Sequence, residues 1–389
     1  MGHLQKYLFT SSFWEDQWNK RAVHIGERLH NSLVSESEIQ TLIRMISPDS
    51  DRIQFALEGR YLDNLMLTRG EQKDQSRPQI FDALRVEDVL RKGATLIVNG
   101  IDEIHEDVGL LANELETFVG VRVQCNLYAC WGSDPGFGIH WDEHEVLALQ
   151  LTGQKEWRLY GATASSPVRF MRERNERPGV AHTIINLEQG SLLYVPRGEW
   201  HSVHPSGEPA IHLAIGIHNS TGIHLGNWIA KQLAETGAGR SDLPLYGSSQ
   251  ESIDKFANRY KPEIEALINV SSVNAFMQER ILNLTPRHFV RIGGAGHYEK
   301  LIQNPATLLY LYDPRAALER SDGCIILHEP NRRIILKEEV LPVLVALQEE
   351  TGSTIQELQL RLTADVVGSH LTAVLIELME IGVVFGREG

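Results

Sequence analysis

Three scarcities bound this chain before any motif is read. Its 389 residues hold only three cysteines, Cys125, Cys130 and Cys324, with no CxxC pair among them. A disulfide framework is therefore not expected, and a reducing cytoplasm fits best. Long apolar runs are missing too. Lys6, Glu15, Asp16, Lys20 and Arg21 interrupt every apolar stretch of the first thirty residues, so neither a secretory signal nor a membrane-spanning helix is expected. Positive charge is the third scarcity: 37 Lys and Arg stand against 51 Asp and Glu, for a net charge of -14. Phosphate binding runs on clustered cations, so free nucleic acid is not expected as a general partner. A basic protein or peptide would be attracted by such a surface, although acidity that serves solubility alone reads the same way.

What is present is ordinary core material, 42% apolar and 23% charged, in a chain long enough for two or three packed units. From about residue 80 to 225 one helix and several short strands are expected. Ile104, Val108, Leu111, Leu115 and Phe118 recur at helical spacing and predict a helix over 103–119. The runs 121–128, 145–151, 156–160, 182–186, 191–195 and 211–217 are rich in Val, Ile, Leu and Tyr and are separated by Gly, Pro and Asn. Such spacing predicts an antiparallel barrel or sandwich. Residues 224–298 read as amphipathic helices, one carrying Trp228, Ile229 and Leu233. Another runs through Ile253, Phe256, Tyr260, Ile264, Leu267 and Ile268, bent or interrupted at Pro262. Two or three such helices bury little alone, so pairing with a second copy is expected.

Residues 299–389 carry a winged-helix pattern, with helices over 338–350, 354–362 and 365–381 and a strand over 383–385. The charges argue against DNA. The would-be recognition helix, 366–381, has no Lys or Arg. From 338 to 389 only Arg361 and Arg387 stand against nine acidic residues.

The chemistry concentrates in two segments. Gly138-Ile139-His140-Trp141-Asp142 carries an H-x-D pair, and Pro196-Arg197-Gly198-Glu199-Trp200-His201 carries a later histidine. Residues i and i+2 of an extended chain share a face, so His140 and Asp142 converge, and His201 from a neighbouring strand completes a two-His-one-carboxylate face. That arrangement leaves open positions of the kind non-haem Fe(II) oxygenases use. With 16 histidines such a triplet also arises by chance, and the pair reads equally as loop residues capping a turn. His105-Glu106-Asp107 is a second match, rejected because it falls within the expected helix, where i and i+2 diverge.

Lys155, thirteen residues past Asp142, enters a strand between Gly153 and Trp157. It is either a cation for the far end of a dicarboxylate co-substrate or a solvated edge lysine. Asn126 and Tyr128 alternate on one strand face towards the same cavity. His144, His204, His212 and His218 read as strand or loop residues, with a cavity-facing position as the alternative for His212, and Cys125 and Cys130 as core or loop residues. Trp131 either closes over substrate or simply packs.

Gln124-Cys125-Asn126-Leu127-Tyr128, His140-Trp141-Asp142, the run from Val146 to Tyr160 and the run from Gly190 to His201 together resemble the JmjC-type ribosomal oxygenases, Fe(II)- and 2-oxoglutarate-dependent hydroxylases of ribosomal proteins. The resemblance implies an α+β chain. A double-stranded β-helix, the cupin or JmjC jelly-roll barrel, would cover 1–223, a helical dimerisation region 224–298 and a winged-helix domain 299–389. It implies that His140, Asp142 and His201 bind iron, and that Lys155 pairs with the C5 carboxylate of 2-oxoglutarate in a pocket also lined by Asn126 and Tyr128. O2 would be the second co-substrate. Ala214 and Gly216 depart from the family, whose members often carry hydroxyl side chains on that strand. Three functions follow as alternatives: a hydroxylase of a protein or peptide side chain, a hydroxylase of a small molecule or modified peptide in a biosynthetic pathway, and a non-catalytic cupin interaction module. The intact triad together with Lys155 argues against the last, and nothing suggests a cage for methyl-lysine.

Overall fold

The structure is a computed structural model that describes residues 10–26, 33–69, 79–132, 135–168, 171, 176–287, 298–330, 332–350, 352–362 and 369–387. The chain divides into two compact units, one of Met1–Glu116 with Arg122–Asn219 and one of Thr117–Val121 with Ser220–Gly389.

The first unit contains two antiparallel sheets. Its strands are β1 (Val23–Ile25), β2 (Ile53–Leu57), β3 (Arg60–Tyr61), β4 (Thr95–Val98), β5 (Val123–Cys130), β6 (Glu145–Thr152), β7 (Lys155–Ala162), β8 (Thr183–Leu187), β9 (Leu192–Val195), β10 (Glu199–Pro205) and β11 (Ala210–Ile217). The larger sheet runs β1-β9-β6-β11-β5-β4-β2-β3 and the smaller β10-β7-β8. Val146, Ala148, Leu193 and Val195 of the first pack with Trp157, Leu159 and Leu187 of the second in one buried cluster. The inner faces therefore meet as in a jelly-roll sandwich. This is the expected cupin-type barrel. The sequence reading placed the six runs within two residues of their observed bounds and expected His201 on a neighbouring strand, observed as β10, but it gave that strand no bounds and did not anticipate β1 to β4.

Alternation sets which residues face the interior. On β5, Val123, Cys125, Leu127 and Ala129 are buried on one face, which leaves Gln124, Asn126 and Tyr128 on the other. β4 pairs only with residues 127–130 of β5. Beyond its end, fully buried Asp102 and Glu116 take over as acceptors, from Cys125 N at 2.7 Å and Val123 N at 3.0 Å. No buried strand N–H is left unpaired there. Glu116 lies in the helix Glu106–Val119, which starts later than expected. His105 therefore precedes the helix, and its Nε2 lies 3.3 Å from Glu38 Oε1.

The second unit begins with helices Gly222–Gln232, Gln250–Leu267 and Val270–Leu282. Pro262 neither ends nor splits the second of them. Three short helices follow later, Leu341–Glu349, Ile355–Arg361 and Ser369–Glu380. They share a buried core with Leu309, Leu311, Ile325, Leu327 and Val384. Strands β12 (Leu308–Leu311), β16 (Ser353–Thr354) and β17 (Val384–Arg387) form one sheet. β13 (Ala317–Ser321), β14 (Cys324–Glu329) and β15 (Arg332–Lys337) form a meander the sequence reading did not anticipate. Residues 365–368 of the last expected helix lie outside the described residues.

The chain leaves the large sheet and enters the small one through Gly153-Gln154, between β6 and β7. Gly153 has φ +65°, and a Cβ there would overlap the Pro209 carbonyl oxygen. Gly153→Ala is expected to destabilise the protein by about 2 kcal/mol or more and to lower its thermal midpoint. An unchanged denaturation curve would show that this corner does not constrain the fold.

Candidate metal centre

His140 lies in an extended segment outside any named strand, yet it pairs with His201 of β10 through an isolated bridge. His140 N donates to His201 O at 3.0 Å and His201 N to His140 O at 2.7 Å. Asp142, two residues on, is held from the other side, because Gly198 N donates to its carbonyl oxygen at 3.0 Å. One histidine is thus delivered by a strand, and the other histidine and the carboxylate by a loop stitched to that strand.

Backbone carbonyls set both histidine tautomers. His140 Nδ1 lies 2.9 Å from Gly138 O and His201 Nδ1 lies 3.0 Å from Glu199 O. A carbonyl only accepts, so each Nδ1 carries the proton and each Nε2 presents a lone pair. His201 Nε2 is 3.5 Å from Asp142 Oδ2, a gap that one ion about 2.1 Å from each atom bridges. One ligand atom from each of His140, Asp142 and His201 lies within 4.8 Å of the others. Burial, with His140 nearby, holds His201 down to about 4 against the opposing pull of Asp142. The imidazole is therefore neutral and ready to ligate at neutral pH. The donor set fits a divalent transition ion.

The triad opens into a cavity of about 150 Å³ enclosed by both sheets, roomy enough for a small ligand rather than a single water. Lys155 lies on β7, the central strand of the small sheet, and is 3% exposed. It is not a solvated edge lysine. Its Nζ donates to Tyr128 O at 3.1 Å and sits 2.9 Å from His212 Nδ1. Burial lowers its affinity for its proton, and among the described residues no carboxylate pairs with it. Asn126 is fixed as well: Gly100 N donates to its Oδ1 at 2.9 Å, so the amide NH2 is turned towards the cavity and hydrogen-bonds the Tyr128 hydroxyl.

Sequence reasoning undervalued several neighbours. His212, 5% exposed, stacks on Tyr128 with ring centroids 5.0 Å apart and contacts Trp157 edge-on at 5.6 Å. Burial and then Lys155 push its pKa well below the usual histidine value. Its alternation with Ala214 and Gly216, in register with Tyr128, Asn126 and Gln124, was the available signal. Cys130, His144 and His218 also line the cavity, whereas His204 and Trp131 do not, and Cys125 is buried on the opposite face of β5. The His105 match brings no third ligand with it among the described residues.

Comparison with known proteins now adds to this geometry. A family model described as a JmjC domain matches residues 102–225, the segment holding the triad, Lys155 and all the strands from β5 to β11. Ribosomal oxygenase 2 of Rattus norvegicus is 34% identical over 139 residues, covering 35% of this chain and 30% of that protein. Ribosomal oxygenase 2 of Mus musculus is 32% identical over 217 residues, covering 54% and 45%. Residues 102–225 thus match a JmjC domain, and the chain is similar over part of its length to the ribosomal oxygenases. It spans less than half the length of these two relatives. The chain also shares its fold with YcfD, a ribosomal oxygenase from Escherichia coli, at 17% identity and a TM-score of 0.55 over 97% of both chains. YcfD has itself been solved with cobalt and 2-oxoglutarate.

Calorimetric titration with Co(II) is expected to give one site in the wild type. Asp142→Ala or His201→Ala is expected to weaken it by about 100-fold or more, since each removes one of three ligands. Wild-type affinity in either variant would remove that residue from the centre.

Proposed function

We propose that this protein is an Fe(II)- and 2-oxoglutarate-dependent oxygenase that hydroxylates a side chain of a protein or peptide. The observation that carries the reading is a pairing within one cavity. A two-His-one-carboxylate triad stands beside a buried lysine whose charge no carboxylate of the described residues balances. A buried ammonium without a counter-charge is costly, and a dicarboxylate that reaches the metal with one end supplies that counter-charge with the other. Iron bound by the triad would couple oxidative decarboxylation of 2-oxoglutarate, to succinate and CO2, to hydroxylation of a C–H bond.

The protein's own residues hold and orient. Lys155 Nζ is held by Tyr128 O and His212 Nδ1 and also hydrogen-bonds the Cys130 side chain; the C5 carboxylate would take the place of that weak thiol contact. Because His212 Nδ1 accepts, its Nε2–H is a second donor at that end. Asn126, locked by Gly100, hydrogen-bonds the Tyr128 hydroxyl and so aims it. Buried Trp157, stacked on His201 at 5.6 Å, keeps water from that imidazole.

Ribosomal proteins are the proposed substrate class, because the relatives are ribosomal oxygenases by name. The alternative, a small molecule or modified peptide, draws on Ala214, whose short side chain lines the cavity; at Gly216 the His144 ring occupies the space a side chain would take. We read 224–298 as a dimerisation region. Helices Gly222–Gln232 and Gln250–Leu267 bury no residue within one chain, and Ile268, Val270 and Met277 are 61, 77 and 55% exposed. We read 299–389 as a winged helix that contacts protein rather than DNA, given its acidity, and place the protein in the cytoplasm. No helix among the described residues is long and apolar enough to cross a membrane.

His140→Ala is expected to abolish succinate formation from 2-oxoglutarate, and wild-type-like turnover in that variant would sink the reading. Lys155→Ala is expected to raise KM for 2-oxoglutarate by about 10- to 100-fold with a smaller change in kcat. Since burial lowers the Lys155 pKa, KM should also rise with pH before 10.5 is reached, as the ammonium loses its proton. Val270→Glu is expected to shift the protein from dimer to monomer in light scattering. A wild-type mass that is already monomeric would remove the dimer.

A further inference from the structure

Behind the large sheet, on the side away from the cavity, lies a polar chain that the proposed function does not use. On β6 and β9, Val146, Ala148, Leu193 and Val195 turn inward to the small sheet. Alternation therefore puts Glu145 of β6 and Tyr194 of β9 on the outer face, and neither lines the cavity. Both are nonetheless fully buried. What covers Tyr194 is the chain ahead of β1. Val23 of β1 pairs opposite Tyr194, and the preceding residues lie on its ring. Phe13 meets it edge-on at 5.1 Å, Trp18 stacks on it at 5.7 Å, and Trp14 packs on Trp18 at 4.8 Å. Asn19 takes a left-handed φ of +56°, which asparagine tolerates, and its N–H donates to the Tyr194 hydroxyl at 2.7 Å.

A single carboxylate oxygen joins this cover to the metal centre. Glu145 Oε2 accepts both from Tyr194 Oη at 2.6 Å and from Arg197 N at 3.0 Å, while Oε1 accepts from Asn219 Nδ2 at 3.3 Å. Arg197 belongs to a turn closed by Glu199 N on Pro196 O at 3.1 Å. The next residue, Gly198, donates to Asp142 O, and Glu199 O orients the His201 ring. The turn thus bears on two of the three ligands at once. It has little slack, since a Cβ at Gly198 would come within 2.4 Å of Pro167 Cγ.

We infer that Glu145 and Tyr194 are positioning residues of the metal centre, and that the aromatic segment from Phe13 to Asn19 sets the affinity for the ion through them. This role rests on the metal centre of the proposed function and deepens it. The Tyr194 hydroxyl accepts from Asn19 N, which leaves its own proton for Glu145. The carboxylate, held there, fixes the Arg197 amide and with it the turn. Loosening any link leaves Asp142 and His201 to be ordered when the ion arrives, and affinity falls although no cavity atom has changed.

The test is calorimetric titration of the full-length protein with Co(II), together with the visible absorption spectrum of the bound ion and a thermal midpoint for each variant. Tyr194→Phe keeps the ring between Phe13 and Trp18 and deletes only the hydroxyl. Tyr194→Phe, Glu145→Ala and Trp18→Ala are each expected to weaken Co(II) by about tenfold and to shift its spectrum. Glu145→Gln keeps one acceptor for Arg197 N and is expected to lose less than Glu145→Ala. Asn19→Gly keeps the N–H and the positive φ and is expected to bind as the wild type does. Val86→Ala, in the helix Ala83–Arg91, serves as the control for stability alone: its midpoint is expected to fall with affinity and spectrum unchanged. Wild-type affinity and spectrum in Tyr194→Phe would overturn the positioning role even if Glu145→Ala failed to fold. The same result in Trp18→Ala would overturn the part given to the aromatic segment. A loss in Val86→Ala equal to that in Tyr194→Phe would reduce the effect to stability and overturn both. Absence of Co(II) binding to the wild type overturns the metal centre instead.

Discussion

His140 and His201 exchange backbone hydrogen bonds of 3.0 and 2.7 Å across an isolated bridge, and the geometry of the centre depends on this one pairing. β10 belongs to the small sheet, whereas the loop bearing His140 and Asp142 leads into β6 of the large one. The bridge therefore fixes the loop to the small sheet just before it enters the other. Carbonyls of the same two stretches, Gly138 O and Glu199 O, then orient the rings. Backbone places the ligands, and backbone also sets which nitrogen each one offers. A centre built this way is preorganised, because the ligands need not search for their rotamers or tautomers when an ion arrives.

Electrostatics at the closed end run against the usual rule that buried charges are paired. Lys155 keeps Tyr128 O, His212 Nδ1 and the Cys130 side chain as partners, and these offset only part of the cost of desolvating an ammonium. On the proposed reading, a bound carboxylate would relieve the remainder. The same balance explains why His212 stays neutral: a second cation beside Lys155 in a buried site would be opposed by both desolvation and repulsion. Neutral His212 can accept at Nδ1 while offering Nε2–H, so a single ring both steadies the lysine and adds a donor.

Much of this was legible in the sequence, for a physical reason. β5, β6 and β11 are long enough to show a period of two, and the same period that buries Cys125 and Leu127 turns Asn126 and Tyr128 inward. The H-x-D pair was legible as a candidate, but not as a site, because the deciding partner lies sixty residues on and is met only through the bridge. Lys155 was ambiguous because edge or interior depends on which strands flank β7, and that is settled by the change of sheet at Gly153, not by local composition. β1, β3 and β4 span two to four residues, too few for any period to register. At Pro262 a bend or an interruption was expected, and the seventeen other residues of the helix carry it across the proline without a break.

The least legible contribution comes from a buried carboxylate. Glu145, fully buried, accepts from Tyr194 Oη at 2.6 Å, Arg197 N at 3.0 Å and Asn219 Nδ2 at 3.3 Å. Burial still raises its pKa, so these donors do not fully repay its lost hydration. Tyr194 in turn accepts from Asn19 N at 2.7 Å and stacks on Trp18 at 5.7 Å. Arg197 is the residue before Gly198, whose N–H holds the Asp142 carbonyl. A chain of contacts thus runs from the segment around residue 19, through a tyrosine and a glutamate, to the turn that steadies the metal carboxylate. None of these residues belongs to the metal motif. The motif names the candidate ligands, but the turn that holds Asp142 is tied to a polar network reaching more than a hundred residues upstream, where the sequence pattern carries no trace of it.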